Sequence, residues 1–326
     1  MTHTAIITAL SEARLGEPLT MTRPYGLLPI CNILLLTRQL DVLKGFRVIV
    51  IGRGKGVTLQ DHCQDKVAFV DADDRDAIER AVGEATLIIP GDLLFDRMSA
   101  VGTKALVTTA AGSEEEAAAK ALLAEFGLDL PLEQIEAQRI NYPWEVLNAN
   151  QAAIKLVKKK IDPSVTIEEN VVIKGEVVIG KGTVIRAGSY LEGPIVIGEG
   201  CEIGPMAHIR PETSIGDGCR IGKSEIVDCV LLPKVTSKHA AYLGHSVLGE
   251  SVNIGAFTVT ADFRHDGKTH MTLIHGEKVD TGRRKLGAFL GDNVHTAITT
   301  SIYPGRKLWP GMSTLPGEVV TKDKVE

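Results

Sequence analysis

The C-terminal half of the chain carries a repeat of six residues. Every sixth residue from position 161 is Ile or Leu for eleven consecutive matches, and Gly follows many of them, as in IGKGTV, IGEGCE and IGDGCR. Composition alone does not produce so long a run, so the repeat indicates a solenoid, in which each unit contacts only its neighbours. The matching positions are Ile161, Ile167, Ile173, Ile179, Ile185, Leu191, Ile197, Ile203, Ile209, Ile215 and Ile221.

A period of six residues is typical of a parallel β-helix with a triangular cross-section, in which each hexad forms one flat side. The aliphatic residue then points into an interior too narrow for large rings, and aromatic residues make up only 4% of the chain. The phase is lost at 233–243, returns at Leu248 and Ile254, is lost again at 261–285, and returns at Leu290. Because flat faces offer few grooves, we expect the active site at these two breaks, with a neighbouring subunit supplying another of its surfaces.

The first part of the chain has a different pattern. Residues 47–52 (RVIVIG) and 85–92 (ATLIIPGD) predict buried strands, whereas residues 74–83 and 113–126 predict helices with polar starts. Alternating strands and helices indicate a small α/β domain with a parallel sheet.

Residues 142–161 (YPWEVLNANQAAIKLVKKKI) predict one further helix, with Pro143 in its first turn. We therefore expect an α/β domain at 1–141, a bridging helix at 142–160 and the β-helix at 161–326.

Composition narrows the class of protein. The chain has 326 residues, 44% of them hydrophobic, and a formal net charge of −5, which argues against a broad nucleic-acid-binding face. It contains no run of 18 apolar residues and no basic, apolar leader, so we expect neither a membrane span nor secretion, and a cytoplasmic location. The five cysteines form no C-x-x-C pair, which predicts reduced thiols and no metal site.

The two breaks contain the residues that chemistry needs. His239 lies in the first break, and Glu225 precedes it by 14 residues, about one coil of the predicted solenoid. A histidine backed by a carboxylate is the minimum for a general base. The second break carries Arg264, Lys268, Arg283, Arg284 and Lys285, a basic set that suits an anionic substrate.

Several motifs in order carry a family resemblance. They are His239-Ala-Ala-Tyr242-Leu-Gly, Val252-Asn253-Ile-Gly-Ala256, Arg264-His-Asp-Gly-Lys268 and Val279-Asp-Thr-Gly-Arg-Arg-Lys-Leu-Gly287. With these motifs, residues 160–320 resemble the left-handed β-helix acetyltransferase domain of the bifunctional sugar-1-phosphate nucleotidylyltransferase/acetyltransferase family, most closely its archaeal branch.

The resemblance implies an N-acetyltransferase that moves an acetyl group from acetyl-CoA to an amino-sugar 1-phosphate, with glucosamine 1-phosphate as the expected acceptor. It also implies a homotrimer whose sites lie between neighbouring prisms.
His239 would be the base and Glu225 would orient it. The resemblance assigns the remaining site residues as follows: Arg210 and Lys268 to the sugar phosphate, Tyr242, Asn253 and Asp262 to the sugar, and Ala256, Ala297, Arg283 and Arg284 to acetyl-CoA.

The chain also departs from the family pattern. Val227 stands where the family commonly has a phosphate-binding Lys, and Phe257 stands where it has Gly. In the first part of the chain, which resembles the nucleotidylyltransferase domain faintly, Ser11 and Ala13 replace phosphate-loop glycines. Asp92 keeps the position of a magnesium ligand. We expect a shortened domain that has lost nucleotidyl transfer and needs Mg²⁺ only if it is active.

Two other interpretations are weighed against this one. The chain could be a non-catalytic regulatory or scaffold subunit that keeps the shape of a sugar-nucleotide enzyme, and the altered first domain favours that view. Alternatively, His208, His239 and His245 could form a zinc site of the kind found in β-helical carbonic anhydrases. The zinc site leaves Arg210, Tyr242 and Asn253 without a function. Measurable affinity for acetyl-CoA would distinguish an acetyltransferase from a non-catalytic subunit.

Overall fold

The computed structural model describes residues 4–9, 17–21, 28–43, 46–52, 67–85, 87–94, 105–108, 113–126, 130–134 and 137–325. Contacts divide the chain into two compact units. The first comprises Met1–Gly16, Thr20–Leu28 and Ile33–Asn141, and the second comprises Glu17–Leu19, Pro29–Asn32 and Tyr142–Glu326. Within the described ranges, no helix has the length and apolar character needed to span a membrane.

The first unit contains a six-stranded parallel sheet. Its strands, in order across the sheet, are β5 (Ala68–Asp71), β4 (Arg47–Gly52), β1 (Thr4–Ala9), β6 (Leu87–Pro90), β8 (Ala105–Thr108) and β9 (Leu132–Gln134). Apolar side chains alternate between its faces, with Ile7, Val50 and Ile89 in one core cluster and Ile6, Ile49 and Ile88 in the other. This confirms the predicted α/β layer. Short strands outside this sheet are β3 (Ile33–Leu34), β7 (Leu93–Leu94) and β10 (Gln138–Arg139) in the first unit, and β2 (Pro29–Ile30) in the second.

The helices begin where the sequence supplies caps. Helix α1 spans Leu35–Val42, α2 spans Arg75–Glu84 and α3 spans Glu114–Glu125. The Asp74 carboxylate accepts from the Ala77 amide of α2 at 3.0 Å, and the Ser113 hydroxyl accepts from the Glu116 amide of α3 at 3.1 Å. Each cap satisfies an amide that the first helical turn leaves without a partner.

Helix α4, in the second unit, spans Pro143–Ile154 and is shorter than the predicted helix of residues 142–161. It starts as expected, with Pro143 at its first turn and the Glu145 carboxylate accepting from the Tyr142 amide at 2.9 Å. It ends early because Lys160 and Ile161 pair as a strand with the next coil.

Asn150 of α4 attaches the helix to the solenoid. Its Oδ1 accepts from the Cys31 amide at 3.0 Å and from the Ser214 hydroxyl at 2.6 Å, and its Nδ2 donates to the Glu212 carbonyl at 2.9 Å. Asn150 is fully buried, so these partners offset the cost of removing its amide from water.

The rest of the second unit is a parallel β-helix with three flat faces, which confirms the predicted fold class. The first face contains β11 (Lys160–Ile161), β14 (Val177–Ile179), β17 (Ile195–Ile197), β20 (Thr213–Ile215), β22 (Val230–Leu231), β24 (Val247–Leu248), β28 (Phe289–Leu290) and β30 (Lys307–Leu308). The second and third faces share one sheet formed by β12 (Thr166–Ile167), β13 (Val172–Lys174), β15 (Val184–Ile185), β16 (Tyr190–Glu192), β18 (Glu202–Ile203), β19 (His208–Ile209), β21 (Arg220–Val227), β23 (Thr236–Gly244), β25 (Val259–Thr260), β29 (Ser301–Ile302) and β31 (Val319–Val320).

The hexad residues form the interior. Ile161 pairs with Ile179 and Ile179 with Ile197, so one coil takes eighteen residues, or three hexads. From Ile179 to Ile221 the predicted aliphatic positions are buried, and together they form the main core cluster. Ile167 is 43% exposed because β12 pairs on one side only, at the start of the solenoid.

The first break in the repeat consists of two shortened coils. Ile215 pairs with Leu231 sixteen residues later, and Leu231 with Leu248 seventeen residues later. The strands β21 and β23 run continuously from the second face to the third, with a register shift between Lys223 and Glu225. The hexad phase is lost here, although the solenoid continues.

The second break is an insertion. Leu248 pairs with Leu290, so this coil takes forty-two residues, and the excess forms an antiparallel hairpin of β26 (Met271–Ile274) and β27 (Glu277–Asp280). The buried Lys307 amine holds the hairpin against the prism by donating to the Leu273 carbonyl at 2.6 Å. We call residues 262–285 the inserted hairpin.

Candidate active site

His239 lies at the corner between the second and third faces. It sits in β23 opposite Lys223, and its side chain is exposed. Its carbonyl accepts from the Phe257 amide at 3.4 Å, which places Ala256 one coil above it. The structure thus presents the predicted base to solvent at a corner rather than on a flat face.

The same corner continues upward through two more coils. The Ala256 carbonyl accepts from the Thr299 amide at 2.7 Å, and the Ile298 carbonyl accepts from the Gly317 amide at 2.9 Å. His239, Ala256, Ile298 and Pro316 therefore occupy equivalent positions in successive coils, and we call them the corner column. The residues that follow them have positive φ angles and turn the chain: Ala240 (34°), Phe257 (60°), Thr299 (57°) and Gly317 (71°).

The corner column has an apolar border and two backbone amides without an acceptor among the described residues. Phe257, Ile298 and Leu315 are 60%, 55% and 72% exposed, an unusual display of large apolar side chains. The Ala297 amide donates to the Thr314 hydroxyl at 2.8 Å, whereas the amides of Ala256 and Ile298 have no acceptor among the described residues. The Ala256 N–H, one coil above His239, can donate to a bound group.

Glu225 lies on the third face, directly below Tyr242. Its Oε1 contacts Arg210 Nη1 at 2.9 Å, in a half-exposed ion pair. Within one chain the carboxylate therefore pairs with Arg210, and the residue opposite His239 is Lys223. The roles of Glu225 as the orienting residue and of Arg210 as a phosphate ligand stay predictions.

Tyr242 and Asp262 meet on the third face. The Tyr242 hydroxyl donates to Asp262 Oδ2 at 2.9 Å. Burial, aided by the Asp262 charge, raises the pKa of Tyr242, so the hydroxyl keeps its proton. Gly244 makes this contact possible, since a Cβ there would lie 2.6 Å from Asp262 Oδ2. The structure thus brings together two of the three residues predicted to contact the sugar.

Behind this pair lies His245, clamped between two carboxylates. Its Nδ1 is 2.7 Å from Asp228 Oδ2, and its Nε2 is 3.3 Å from Asp262 Oδ2. Asp228 and His245 both have positive φ angles at the corner of the third and first faces, one coil apart. Their stacking in adjacent coils brings the two side chains into contact.

Asp228 also accepts from two more distant residues. Gln151 Nε2 of helix α4 donates to Asp228 Oδ2 at 2.8 Å, and Arg283 Nη2 from the inserted hairpin donates to the same oxygen. Arg283 Nη1 donates in addition to Asn148 Oδ1 at 2.5 Å. The Arg283 side chain is only 12% exposed, and its Nε donates to the Lys285 carbonyl at 3.3 Å. The acetyl-CoA contact expected for Arg283 stays a prediction.

The remaining predicted residues lie elsewhere. Asn253 is on the second face, bridged between Thr236 and His295, and so does not share a face with Tyr242. Lys268 and Arg284 are exposed on the inserted hairpin, where Arg284 Nε donates to the Gly267 carbonyl at 3.0 Å. One prism by itself therefore does not assemble the whole predicted set.

The three histidines of the zinc alternative do not converge. His208 faces Glu192 at 3.5 Å, His239 is at the corner column, and His245 is buried between its two carboxylates. In the part of the chain that the structure describes, no group of three or more His, Cys, Asp or Glu side chains could hold a metal ion.

In the first unit, Asp92 is buried and paired. Arg139 Nη1 donates to its two oxygens at 3.1 and 3.3 Å, and the same guanidinium contacts Ser113 and Glu116. Burial, which outweighs the attraction of Arg139, raises the pKa of Asp92 to about 6. The predicted departures at Ser11 and Ala13 lie outside the described residues.

Asp228 and the contact of His245 with it were not predicted from the sequence. The two are seventeen residues apart, the length of the shortened coil, and both follow the end of a third-face strand. A reading that allowed coils of sixteen and seventeen residues could have placed them together.

A family model described as the GMPPB C-terminal domain matches residues 191–304, which include His239 and the inserted hairpin. The solved structure of UDP-N-acetylglucosamine acyltransferase from Campylobacter jejuni covers 51% of this chain and 72% of its own, with 14% identity and a TM-score of 0.34. Similarity at that level carries no weight for the site.

Curated relatives have names that combine two activities. The bifunctional sugar-1-phosphate nucleotidylyltransferase/acetyltransferase of Sulfurisphaera tokodaii is 38% identical over 185 residues, 56% of this chain and 46% of that protein. The bifunctional protein GlmU of Methanococcus maripaludis strain C7 is 49% identical over 179 residues, 55% of this chain and 42% of that protein. The chain therefore spans less than half the length of these relatives, and the resemblance predicted from its motifs is confirmed over about 55% of the chain.

Proposed function

We propose that the chain transfers an acetyl group from acetyl-CoA to the amino group of a sugar 1-phosphate, with His239 as the general base. One observation carries the proposal: an exposed imidazole stands at the foot of an apolar corner column, one coil below an amide N–H without an acceptor. The similarity to relatives named as acetyltransferases supports it.

The corner column suits a long, thin acyl donor. Coils stack about 4.8 Å apart, so three steps from His239 to Pro316 span about 14 Å. An extended pantetheine arm can lie along this edge, against the exposed side chains of Ile298 and Leu315. The thioester then lies beside Ala256 and His239, and the nucleotide end lies beyond the upper coils.

The reaction follows from these positions. The substrate nitrogen attacks the thioester carbonyl carbon while His239 takes a proton from that nitrogen. The developing oxyanion accepts a hydrogen bond from the Ala256 amide. The carbon–sulfur bond then breaks, and the leaving thiolate takes a proton from the imidazolium. The products are an N-acetylated sugar phosphate and the CoA thiol.

The acceptor is an amino-sugar 1-phosphate, with glucosamine 1-phosphate the first to test. Tyr242 and Asp262 offer hydroxyl and carboxylate oxygens to the sugar, and the exposed Lys268 and Arg284 are available to its phosphate. Asn253 reaches the same acceptor if the second face of one prism meets the third face of the next. We therefore include a homotrimer in the proposal.

Loss of nucleotidyl transfer forms the second part of the proposal. Asp92, the one position kept for a magnesium ligand, is buried and committed to Arg139. The residues described around it therefore do not fit a magnesium site. Incubation with UTP and a sugar 1-phosphate should release no pyrophosphate, and its release would overturn this part.

A thiol-release assay tests the acetyl transfer directly. The purified chain is given acetyl-CoA with glucosamine 1-phosphate or galactosamine 1-phosphate, and turnover with either supports the proposal. His239→Ala should lower turnover about 100-fold or more, because a general base is lost. His275→Ala, at the exposed tip of the inserted hairpin, is the matched control and should keep full activity.

The outcomes separate the rival interpretations. Normal turnover in His239→Ala would reject His239 as the base. Acetyl-CoA binding without turnover would point to another acceptor. If calorimetry detects no acetyl-CoA binding, the proposal fails in favour of a regulatory or scaffold subunit.

A further inference from the structure

A buried chain of polar contacts runs from the prism corner to the third face. Asp228 contacts His245, His245 faces Asp262, and Asp262 accepts from the Tyr242 hydroxyl. We call these four residues the His245 array. The Asp228 and His245 side chains are only 3% and 11% exposed, so the array lies mostly beneath the surface that a sugar would touch.

The inner end of the array is fixed. Asp228 Oδ2 accepts from His245, from Gln151 of helix α4 and from Arg283 of the inserted hairpin. These donors come from three separate segments of the second unit, so Asp228 ties them together. The neighbouring Arg283 also offsets the buried charge, which a carboxylate in such a place requires.

The outer end of the array presents oxygens to the surface. Asp262 Oδ2 accepts the hydrogen bond from the Tyr242 hydroxyl and faces His245 Nε2, whereas no donor reaches Asp262 Oδ1 from any residue that the structure describes. Since the Tyr242 proton is directed to Asp262, the phenol oxygen keeps its lone pairs for a ligand. Both oxygens are then acceptors, suited to hydroxyl or ammonium groups.

His245 itself does not reach a ligand. Its Nε2 is buried and makes no regular hydrogen bond, and the atom facing it is Asp262 Oδ2. An imidazole on a carboxylate can act as a base, but a base must touch the proton that it removes. In this array the Asp262 carboxylate stands between the ring and the surface.

We infer that His245 is a positioning residue that holds Asp262 and Tyr242 in the orientation that binds the amino sugar. This inference rests on the proposed function. It makes the buried His245 side chain a determinant of how well the chain binds its amino-sugar acceptor. It predicts that His245 affects the Michaelis constant (KM) for the sugar phosphate and leaves the KM for acetyl-CoA unchanged.

Two amide substitutions separate positioning from a purely structural role. Asn can place its amide nitrogen near the Nδ1 position and keep the bond to Asp228, whereas Gln can place one near Nε2 and keep the contact with Asp262. We expect His245→Asn to raise the sugar-phosphate KM about tenfold and His245→Gln to stay within about threefold of wild type. His275→Asn and His275→Gln are the matched controls.

The reverse order would overturn the inference, since a structural role predicts that Asn restores function and Gln does not. An equal rise in the KM for acetyl-CoA would do so as well. If the wild-type chain releases no thiol, the proposed function fails, and calorimetric Kd values for glucosamine 1-phosphate decide the matter. In that case the Kd of His245→Asn for glucosamine 1-phosphate should still be larger than the Kd of His245→Gln. If the wild-type chain does not bind glucosamine 1-phosphate at all, the inference is rejected too.

Discussion

Gly244→Ala would place a methyl group where Tyr242 and Asp262 meet. The new Cβ would lie 2.6 Å from Asp262 Oδ2 and 2.8 Å from the Tyr242 hydroxyl, whereas ordinary contacts begin at 3.4 Å. The φ of Gly244 lies outside the left-handed region, so alanine adds no backbone strain. The substitution therefore acts through the steric clash alone.

To reach an ordinary contact of 3.4 Å, the carboxylate oxygen must move by about 0.8 Å, and we expect this shift to weaken or break its hydrogen bond with Tyr242. Overpacking costs about 1–3 kcal/mol, and losing a hydrogen bond to a charged group costs about 1.5–3 kcal/mol. Since these costs overlap, we expect the free energy of unfolding to fall by about 2–4 kcal/mol. The sugar-phosphate KM should rise about tenfold, with little change for acetyl-CoA.

Urea unfolding followed by tryptophan fluorescence reports the stability of the second unit, because both tryptophans, Trp144 and Trp309, belong to it. Gly83→Ala is the control: no atom lies within 4 Å of its added Cβ, and it belongs to the first unit. It should leave the fluorescence transition unchanged. A Gly244→Ala protein with wild-type midpoint and wild-type KM would refute the reasoning.

Three further changes probe the two units. Because the pKa of Asp92 is raised to about 6 when folded and is about 3.9 when unfolded, the free energy of unfolding should fall as pH rises from about 4 to 6. Asp92→Asn should flatten that slope in circular-dichroism melts. Asp228→Asn leaves the Arg283 charge without its carboxylate and should cost about 3 kcal/mol in urea unfolding. Ile215→Ala, at a fully buried hexad position, should cost about 2–5 kcal/mol in the same assay.

The hexad repeat predicted the core because its information is local and repeated. Each aliphatic residue from Ile179 to Ile221 occupies a place set by the coil length, and burial follows without knowledge of distant contacts. Ile167 departs from this rule because burial in a solenoid needs a coil on each side. The helix end at Ile154 was missed because strand pairing of Lys160 and Ile161 overrides helical propensity.

The site was predictable in part. The motifs named His239, Tyr242 and Asp262 as separate candidates, but the contacts across the altered coils depend on coil lengths that a fixed period of six cannot supply. Asp228 meets His245 only because the coil between them has seventeen residues, and it meets Arg283 because the inserted hairpin folds back over fifty-five residues. Neither of these contacts follows from the residue types alone.

The stacked corner also sets a length scale. Positions along the corner column are separated by whole coils of about 4.8 Å and cannot slide past one another, since backbone hydrogen bonds fix each step. On the proposed function, the column works as a molecular ruler between the reacting carbon and the far end of the donor. A donor whose arm is a few bonds shorter could place its thioester beside His239 or its far end on the upper coils, but not both at once. Selectivity for the carrier would then come from distance, with no need to recognise its chemical detail.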